Sequence, residues 1–130
     1  VYDVTDADGL TQLNRLKTGV MISGAAELGC VAAKMNAGMR QQALVYADSI
    51  GRAFQIRDDM LDVVGDAAVF GKPIGSDQEE GKVTFVDVLG LEGCAHEVER
   101  CTNAAKEAVA NWSDHQFLWE LADRMAGRDK

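Results

Sequence analysis

At 130 residues, with 47% apolar and 26% charged side chains, the chain has the composition of one soluble globular domain, which argues against disorder. A net charge of −8 argues against nucleic acid or an anionic membrane as the main partner, because both attract basic surfaces. No apolar stretch approaches the roughly 20 residues that span a bilayer. The single proline and the many helix-forming residues predict an all-α fold.

The first helical segment of the sequence is predicted to be a bent helix. Apolar residues recur at helical spacing from Leu10 to about Met35, and small residues interrupt them near Lys17 and Thr18, where we expect a kink. The chain starts at Val1 with neither an initiator Met nor a basic leader, so we expect a piece of something longer.

A second helix is predicted from about Met39 to Val64, and apolar side chains cover most of its circumference. Such a helix belongs in the middle of a bundle. From Gly65 to Gly81 four glycines and the single proline break the helical periodicity, which predicts a long loop. Long ordered loops in compact domains are usually functional.

Three shorter helices are predicted after the loop. They run from Thr84 to about Leu91, from about Gly93 to Trp112, and onward from Ser113, which has capping-box spacing to Gln116. Their predicted core positions are Val98, Cys101, Ala105, Ala108, Val109, Trp112, Leu118, Leu121, Ala122 and Met125.

The three cysteines, Cys30, Cys94 and Cys101, are odd in number and lack the spacing of a metal site. Each lies in an apolar helical context, which predicts reduced thiols that pack in the core. A cytoplasmic protein is therefore expected.

The second predicted helix carries carboxylates on one face. At 100° per residue, one stripe roughly 100° wide holds Gln55, Asp58, Asp59 and Asp62. Asp48 and Gly51 lie on the extension of this stripe toward the start of the helix. Crowded carboxylates on an apolar helix repel one another unless cations neutralise them. Oxygen ligands without His or thiolate favour Mg²⁺, which bridges carboxylates to substrate phosphates, so a diphosphate is the natural ligand.

Two other interpretations of the stripe are weaker. Most charge clusters on surface helices are solvated faces, but this helix is apolar almost all round. An EF-hand would need alternating loop ligands, which this spacing does not give. Lys72 and Lys82 flank the predicted loop, and Lys17 with Thr18 precedes the acidic helix, so cations surround the stripe.

The order of these segments resembles the second half of the trans-isoprenyl diphosphate synthases, in particular the bacterial farnesyl diphosphate synthases. The similarity runs from about Leu16 to Asp123. The segments that carry it are Lys17-Thr18-Gly19, Phe54-Gln55-Ile56-Arg57-Asp58-Asp59-Met60-Leu61-Asp62, Gly65-Asp66, Gly71-Lys72, Gly75-Ser76-Asp77 and Gly81-Lys82-Val83-Thr84.

The resemblance implies a role for each of these residues. Asp58, Asp59 and Asp62 would form the second aspartate-rich motif and bind Mg²⁺, with Asp58 a direct ligand and Asp62 a ligand through water. The remaining roles are implied as follows: Lys17 and Lys72 hold the allylic diphosphate, Lys82 assists, and Thr18 and Gln55 line the allylic carbon, where their oxygens stabilise positive charge.

The reaction that the resemblance implies joins an allylic diphosphate to isopentenyl diphosphate, in a homodimer. The family also needs a first aspartate-rich motif, and no second DDxxD occurs in these 130 residues. We therefore expect residues 1–130 to be the C-terminal half of one helical prenyltransferase domain, inactive alone. The alternatives are a synthase of geranylgeranyl or longer products and a non-catalytic helical subunit; a terpene cyclase is a weaker one.

Overall fold

The computed structural model describes residues 7–14, 18–65 and 83–128. Five helices and no strand are found in these ranges, which confirms the all-α prediction. They are α1 (Ala7–Asn14), α2 (Val20–Ala32), α3 (Ala37–Gly65), α4 (Phe85–Ala108) and α5 (His115–Gly127). Within the described part of the chain, no helix combines the length and the apolar character needed to cross a membrane.

α3 is the central helix, as its apolar circumference predicted, because it packs against all four of the others and most extensively against α4. Its buried side chains divide between two core clusters. One joins α3 to α1 and α4 through Leu10, Ala53, Ile56, Phe85, Cys94, Val98 and Cys101. The other joins α3 to α4, the following turn and α5 through Tyr46, Ile50, Ala105, Val109 and Ala122. The neighbouring helices leave part of the apolar surface of α3 uncovered, because Val45 and Val64 are exposed.

α2 leaves an apolar surface open. It packs mainly on α3, and its other face exposes Val20, Met21, Leu28 and Val31, of which Met21 is 76% exposed. Helical turns of π type at Thr18 and Gly19 precede α2, in the region where a kink was predicted. A π turn inserts an extra residue into the helical repeat, and such turns are common near functional sites.

α4 begins where the sequence predicted a helix start. Thr84 is its N-cap: the Thr84 hydroxyl accepts from the Asp87 amide at 3.3 Å, and Asp87 Oδ2 accepts from the Thr84 amide at 2.9 Å. The two helices predicted between Thr84 and Trp112 correspond to α4, which breaks at Gly90, where φ is 74°, and ends at Ala108, short of the predicted end at Trp112. Glycine adopts this left-handed conformation without the steric cost that a Cβ would add.

The predicted capping box between Ser113 and Gln116 is wrong. α5 starts at His115, after Asp114, and no side chain caps it. The backbone at Asp114 has φ −105° and ψ 31°, outside the extended region from which a cap side chain reaches the first free amides. The predicted core of α5 is present, with Ala122 buried and Leu118 packed against the second cluster.

Cys30, Cys94 and Cys101 are free and buried, which confirms that they are packing thiols.

Candidate active site

The acidic stripe occupies one face of α3, and its three predicted metal carboxylates lie in the last two turns of that helix. Asp58 and Asp59 are half-buried and Asp62 is exposed. Each carboxylate differs in its surroundings, and two of them have partners that the sequence did not suggest.

Asp58 forms an ion pair with Arg128. Arg128 Nη2 donates to Asp58 Oδ1 at 3.1 Å, and the Arg128 guanidinium lies 4.0 Å from the centre of the Phe54 ring. Arg57 Nε donates to the Arg128 carbonyl at 2.8 Å. The residue that follows α5 is therefore held against the acidic end of α3. Sequence reasoning missed Arg128 because 70 residues separate it from Asp58 and no motif marks it.

Asp59 turns toward α4. Its Oδ2 accepts a hydrogen bond from the Phe85 amide at 2.9 Å. Phe85 is the first residue of α4, and its side chain is almost fully buried.

Among the described residues, no group of three or more His, Cys, Asp or Glu side chains is close enough to hold a metal ion. The structure therefore does not gather Asp58, Asp59 and Asp62 into one cluster, and their assignment as metal ligands stays a prediction. The donors are nonetheless all carboxylate oxygens, the type that Mg²⁺ prefers. Asp58 and Asp62 lie one turn apart, so an ion contacting Asp58 is within reach of Asp62.

A cavity of about 140 Å³ opens beside the stripe, on the side toward the start of α3. The predicted site residue Gln55 lines it, and Phe85 from α4 forms part of its apolar wall. The full lining set is Thr11, Gly19, Asp48, Gly51, Arg52, Gln55 and Phe85. The cavity therefore lies along the same face of α3 as the stripe, and its lining combines the Phe85 ring with the charged side chains of Asp48 and Arg52.

Small residues let α2 approach α3 at this cavity. A Cβ added at Gly51 would lie 3.3 Å from Ile22 Cδ1, tighter than ordinary contact. One turn earlier, the Ser23 hydroxyl donates to Asp48 Oδ1 at 2.6 Å. Gly51 therefore serves close packing, and Asp48 links the two helices.

Arg52 forms the charged wall of the cavity. Its Nε donates to Glu97 Oε1 at 3.1 Å, its Nη1 donates to the Thr11 hydroxyl, and its guanidinium lies 5.7 Å from the centre of the Phe85 ring. Glu97 also accepts from Arg100. This network connects α1, α3 and α4. Sequence reasoning assigned it no role, because nothing in the local pattern relates Arg52 to a glutamate 45 residues later.

The hydrogen bond from Arg100 holds the pKa of Glu97 below its usual range, and the nearby positive charge of Arg52 acts in the same direction. These effects outweigh partial burial, which opposes ionisation. Glu97 is therefore a carboxylate at neutral pH, and the network is fully charged.

The predicted cations of the site, Lys17, Lys72 and Lys82, lie outside the described residues, as does the predicted loop from 66 onward. Thr18 is described, half-buried and next to Gly19, which lines the cavity. Of the predicted site residues, Gln55 therefore lines the cavity and Thr18 is next to a residue that lines it. The three aspartates lie in the last two turns of α3.

The fold and site define an all-helical protein whose functional surface is built on one face of its central helix. Residues 2–120 match the family model described as polyprenyl synthetase, and the chain belongs to that family. The resemblance deduced from the sequence motifs is thereby confirmed.

Individual relatives cover nearly all of the chain. It is 38% identical over 129 residues to the farnesyl diphosphate synthase of Escherichia coli, covering 95% of this chain and 43% of the relative. It is 30% identical over 117 residues to the geranylgeranyl diphosphate synthase of Cereibacter sphaeroides, covering 90% and 40%.

A solved structure gives the same result. The apo crystal structure of an FPP/GFPP synthase from Zymomonas mobilis superposes with a TM-score of 0.78 at 30% identity, covering 92% of this chain and 38% of that one. The chain thus spans less than half the length of the relatives it matches.

Proposed function

We propose that the chain is the C-terminal half of a short-chain trans-prenyltransferase domain, which condenses an allylic diphosphate with isopentenyl diphosphate head to tail. The observation that carries this proposal is that the aspartates near the end of α3 share a face of that helix with Gln55, which lines a partly apolar cavity. A substrate with a diphosphate head and a hydrocarbon tail needs such a surface, because its two ends require opposite environments.

The diphosphate end lies at Asp58 and Asp62. A Mg²⁺ ion held by these carboxylates would neutralise the leaving diphosphate. Lys17 and Lys72 supply further positive charge, with Lys82 assisting, as the family motifs imply. Asp58 is the principal ligand in this proposal, as the family motif implies, and a Mg²⁺ ion there would compete with Arg128 for the carboxylate.

The reacting carbon lies between the carboxylates and the cavity. The allylic carbon–oxygen bond breaks and the electron pair leaves with diphosphate; the double bond of isopentenyl diphosphate then attacks the allylic carbon, and a proton passes to the released diphosphate. Gln55, which lines the cavity, and Thr18 present side-chain oxygens to the positive carbon. The hydrocarbon tail extends past Gly51 toward Phe85.

Farnesyl diphosphate is the proposed product. The alignment with the E. coli farnesyl diphosphate synthase over 129 residues, 95% of this chain, favours it. A geranylgeranyl or longer product is the second candidate, since relatives of that kind also align over most of the chain.

Further helices are needed for activity. The chain has one aspartate-rich motif, and the relatives are more than twice its length. The exposed apolar side chains of α2, among them Met21 and Leu28, give additional helices a surface to pack on. The active protein is a cytoplasmic homodimer in this proposal, and the 130-residue chain alone has no synthase activity. A non-catalytic subunit would have no use for the acidic stripe.

The test joins residues 1–130 to the first part of the E. coli relative and assays labelled isopentenyl diphosphate with geranyl diphosphate. We expect magnesium-dependent formation of farnesyl diphosphate by the joined protein and none by the 130-residue chain. Turnover by the 130-residue chain alone would refute the need for further helices. No product from a folded, dimeric joined protein would refute the proposed reaction.

A further inference from the structure

The amide of Phe85 is one of the donors that a helix start leaves without an intrahelical partner. Asp59 satisfies it from a different helix, at 2.9 Å. Thr84 and Asp87 satisfy one another in the capping box of the same turn. The start of α4 is therefore capped twice, once from within and once by α3.

Electrostatics and burial favour this arrangement. A carboxylate next to a helix start is stabilised by the partial positive charge of the free amides. Phe85 is 1% exposed, so its amide has little access to water if Asp59 is lost. The Asp59 carboxylate also lies near Cys94. Burial, and then the charge of Asp59, raise the pKa of Cys94 to about 11. Asp59 thus faces the body of α4.

The neighbouring carboxylates have other surroundings. Asp58 is 47% exposed and pairs with Arg128, and Asp62 is exposed. Asp58 therefore contacts a protein cation, Asp59 contacts the start of α4, and Asp62 is exposed.

We infer that Asp59 is a positioning residue, which fixes the start of α4 against α3 and acts on the site through that hydrogen bond. In the chain, Lys72 and Lys82 lie between Asp59 and Phe85, so this hydrogen bond joins the helix that precedes these lysines to the first residue of the helix that follows them. The capping role stands on the geometry alone. Its consequence for catalysis rests on the proposed function.

Substitution by asparagine separates the two roles. An Asn side chain keeps a carbonyl oxygen that accepts the Phe85 amide, and Asn caps helices about as well as Asp. It loses the negative charge with which a carboxylate binds Mg²⁺. Asp59→Asn therefore preserves a cap and weakens any metal ligation, whereas Asp59→Ala removes both.

The experiment uses a parent protein, residues 1–130 joined to the first part of the E. coli relative, and its Asp59→Asn, Asp59→Ala and Asp58→Asn variants. Amide hydrogen exchange at Phe85 is followed by NMR, and Mg²⁺ is titrated in the presence of inorganic pyrophosphate. We expect Phe85 exchange to be about fivefold faster in Asp59→Ala and within about twofold of the parent chain in Asp59→Asn. The half-saturating Mg²⁺ concentration should be unchanged in Asp59→Asn and raised about tenfold in Asp58→Asn.

An increase in the Mg²⁺ requirement of Asp59→Asn equal to that of Asp58→Asn would overturn the inference, as would Phe85 exchange that is unchanged in a folded Asp59→Ala. Asp59→Asn decides the question of the metal even if Asp59→Ala does not fold. If the joined parent protein binds no Mg²⁺ with pyrophosphate, the proposed function loses support, while faster Phe85 exchange in Asp59→Ala still supports the capping role.

Discussion

Arg128 donates a hydrogen bond to Asp58 at 3.1 Å, so a cation of the protein pairs with the carboxylate that we assign to Mg²⁺. The two cations compete for the same oxygen. Arg128→Gln should therefore lower the Mg²⁺ concentration that half-saturates pyrophosphate binding. A partly exposed ion pair is worth about 0.2–1 kcal/mol, which corresponds to a shift of about 1.4-fold to fivefold. Calorimetric titration measures it.

The matched control is Arg124→Gln, which removes the same charge from an exposed position in the last turn of α5. It should leave the Mg²⁺ requirement near that of the parent chain. Equal shifts in the two variants would mean that net charge, and not the pair with Asp58, determines the effect.

The Tyr46 hydroxyl should contribute measurably to stability. It donates to the Leu118 carbonyl at 2.6 Å and so joins α3 to α5. Tyr46→Phe keeps the ring and removes the bond, which should lower the free energy of unfolding by about 1 kcal/mol. Urea denaturation gives the value. Equal midpoints for the two proteins would show that water replaces the bond without cost.

The same hydroxyl predicts a pH dependence. Burial raises the pKa of Tyr46 to about 12 from its ordinary value near 10. Its contribution to stability is fully present below pH 10 and is lost as the pH rises toward 12, because only the unfolded chain ionises there. The stability difference between the parent chain and Tyr46→Phe should therefore shrink over this range. A constant difference from pH 9 to 12 would contradict the raised pKa.

Glu97 predicts the opposite behaviour in acid. Its pKa is lowered by the hydrogen bond from Arg100 and by Arg52, so its contribution is present above the ordinary Glu pKa and is lost as the pH falls through the lowered value. Glu97→Gln should destabilise the chain at pH 7 and have a diminishing effect below about pH 4. Thermal unfolding against pH measures this. Glu99→Gln, an exposed neighbour, is the control and should show no such trend.

Local patterns were enough to predict much of the fold. The apolar circumference of residues 39–64 predicted a central helix, and α3 is that helix, because burying apolar surface dominates its placement. Thr84 predicted the start of α4, since a side-chain cap acts within one turn. The cap at Ser113 was wrong because the preceding turn sets the backbone there, which residue spacing does not reveal.

The polar contacts of the site were beyond sequence reasoning. Asp59 bonds to an amide 26 residues away, Arg52 to a carboxylate 45 away, and Asp58 to a guanidinium 70 away. Such partners meet only after the helices pack. The spacing of the motif grouped Asp58, Asp59 and Asp62 as equals, and packing gives each of them different surroundings.

The central claim is that the acidic end of α3 binds a diphosphate through Mg²⁺. The most direct measurement is calorimetric titration of inorganic pyrophosphate, with and without Mg²⁺, into residues 1–130 joined to the first part of the E. coli relative. Binding should require Mg²⁺ and should be lost in Asp58→Ala but retained in Glu92→Ala, an exposed acidic residue of α4. Pyrophosphate binding that is independent of Mg²⁺, or unchanged in Asp58→Ala, would contradict the claim.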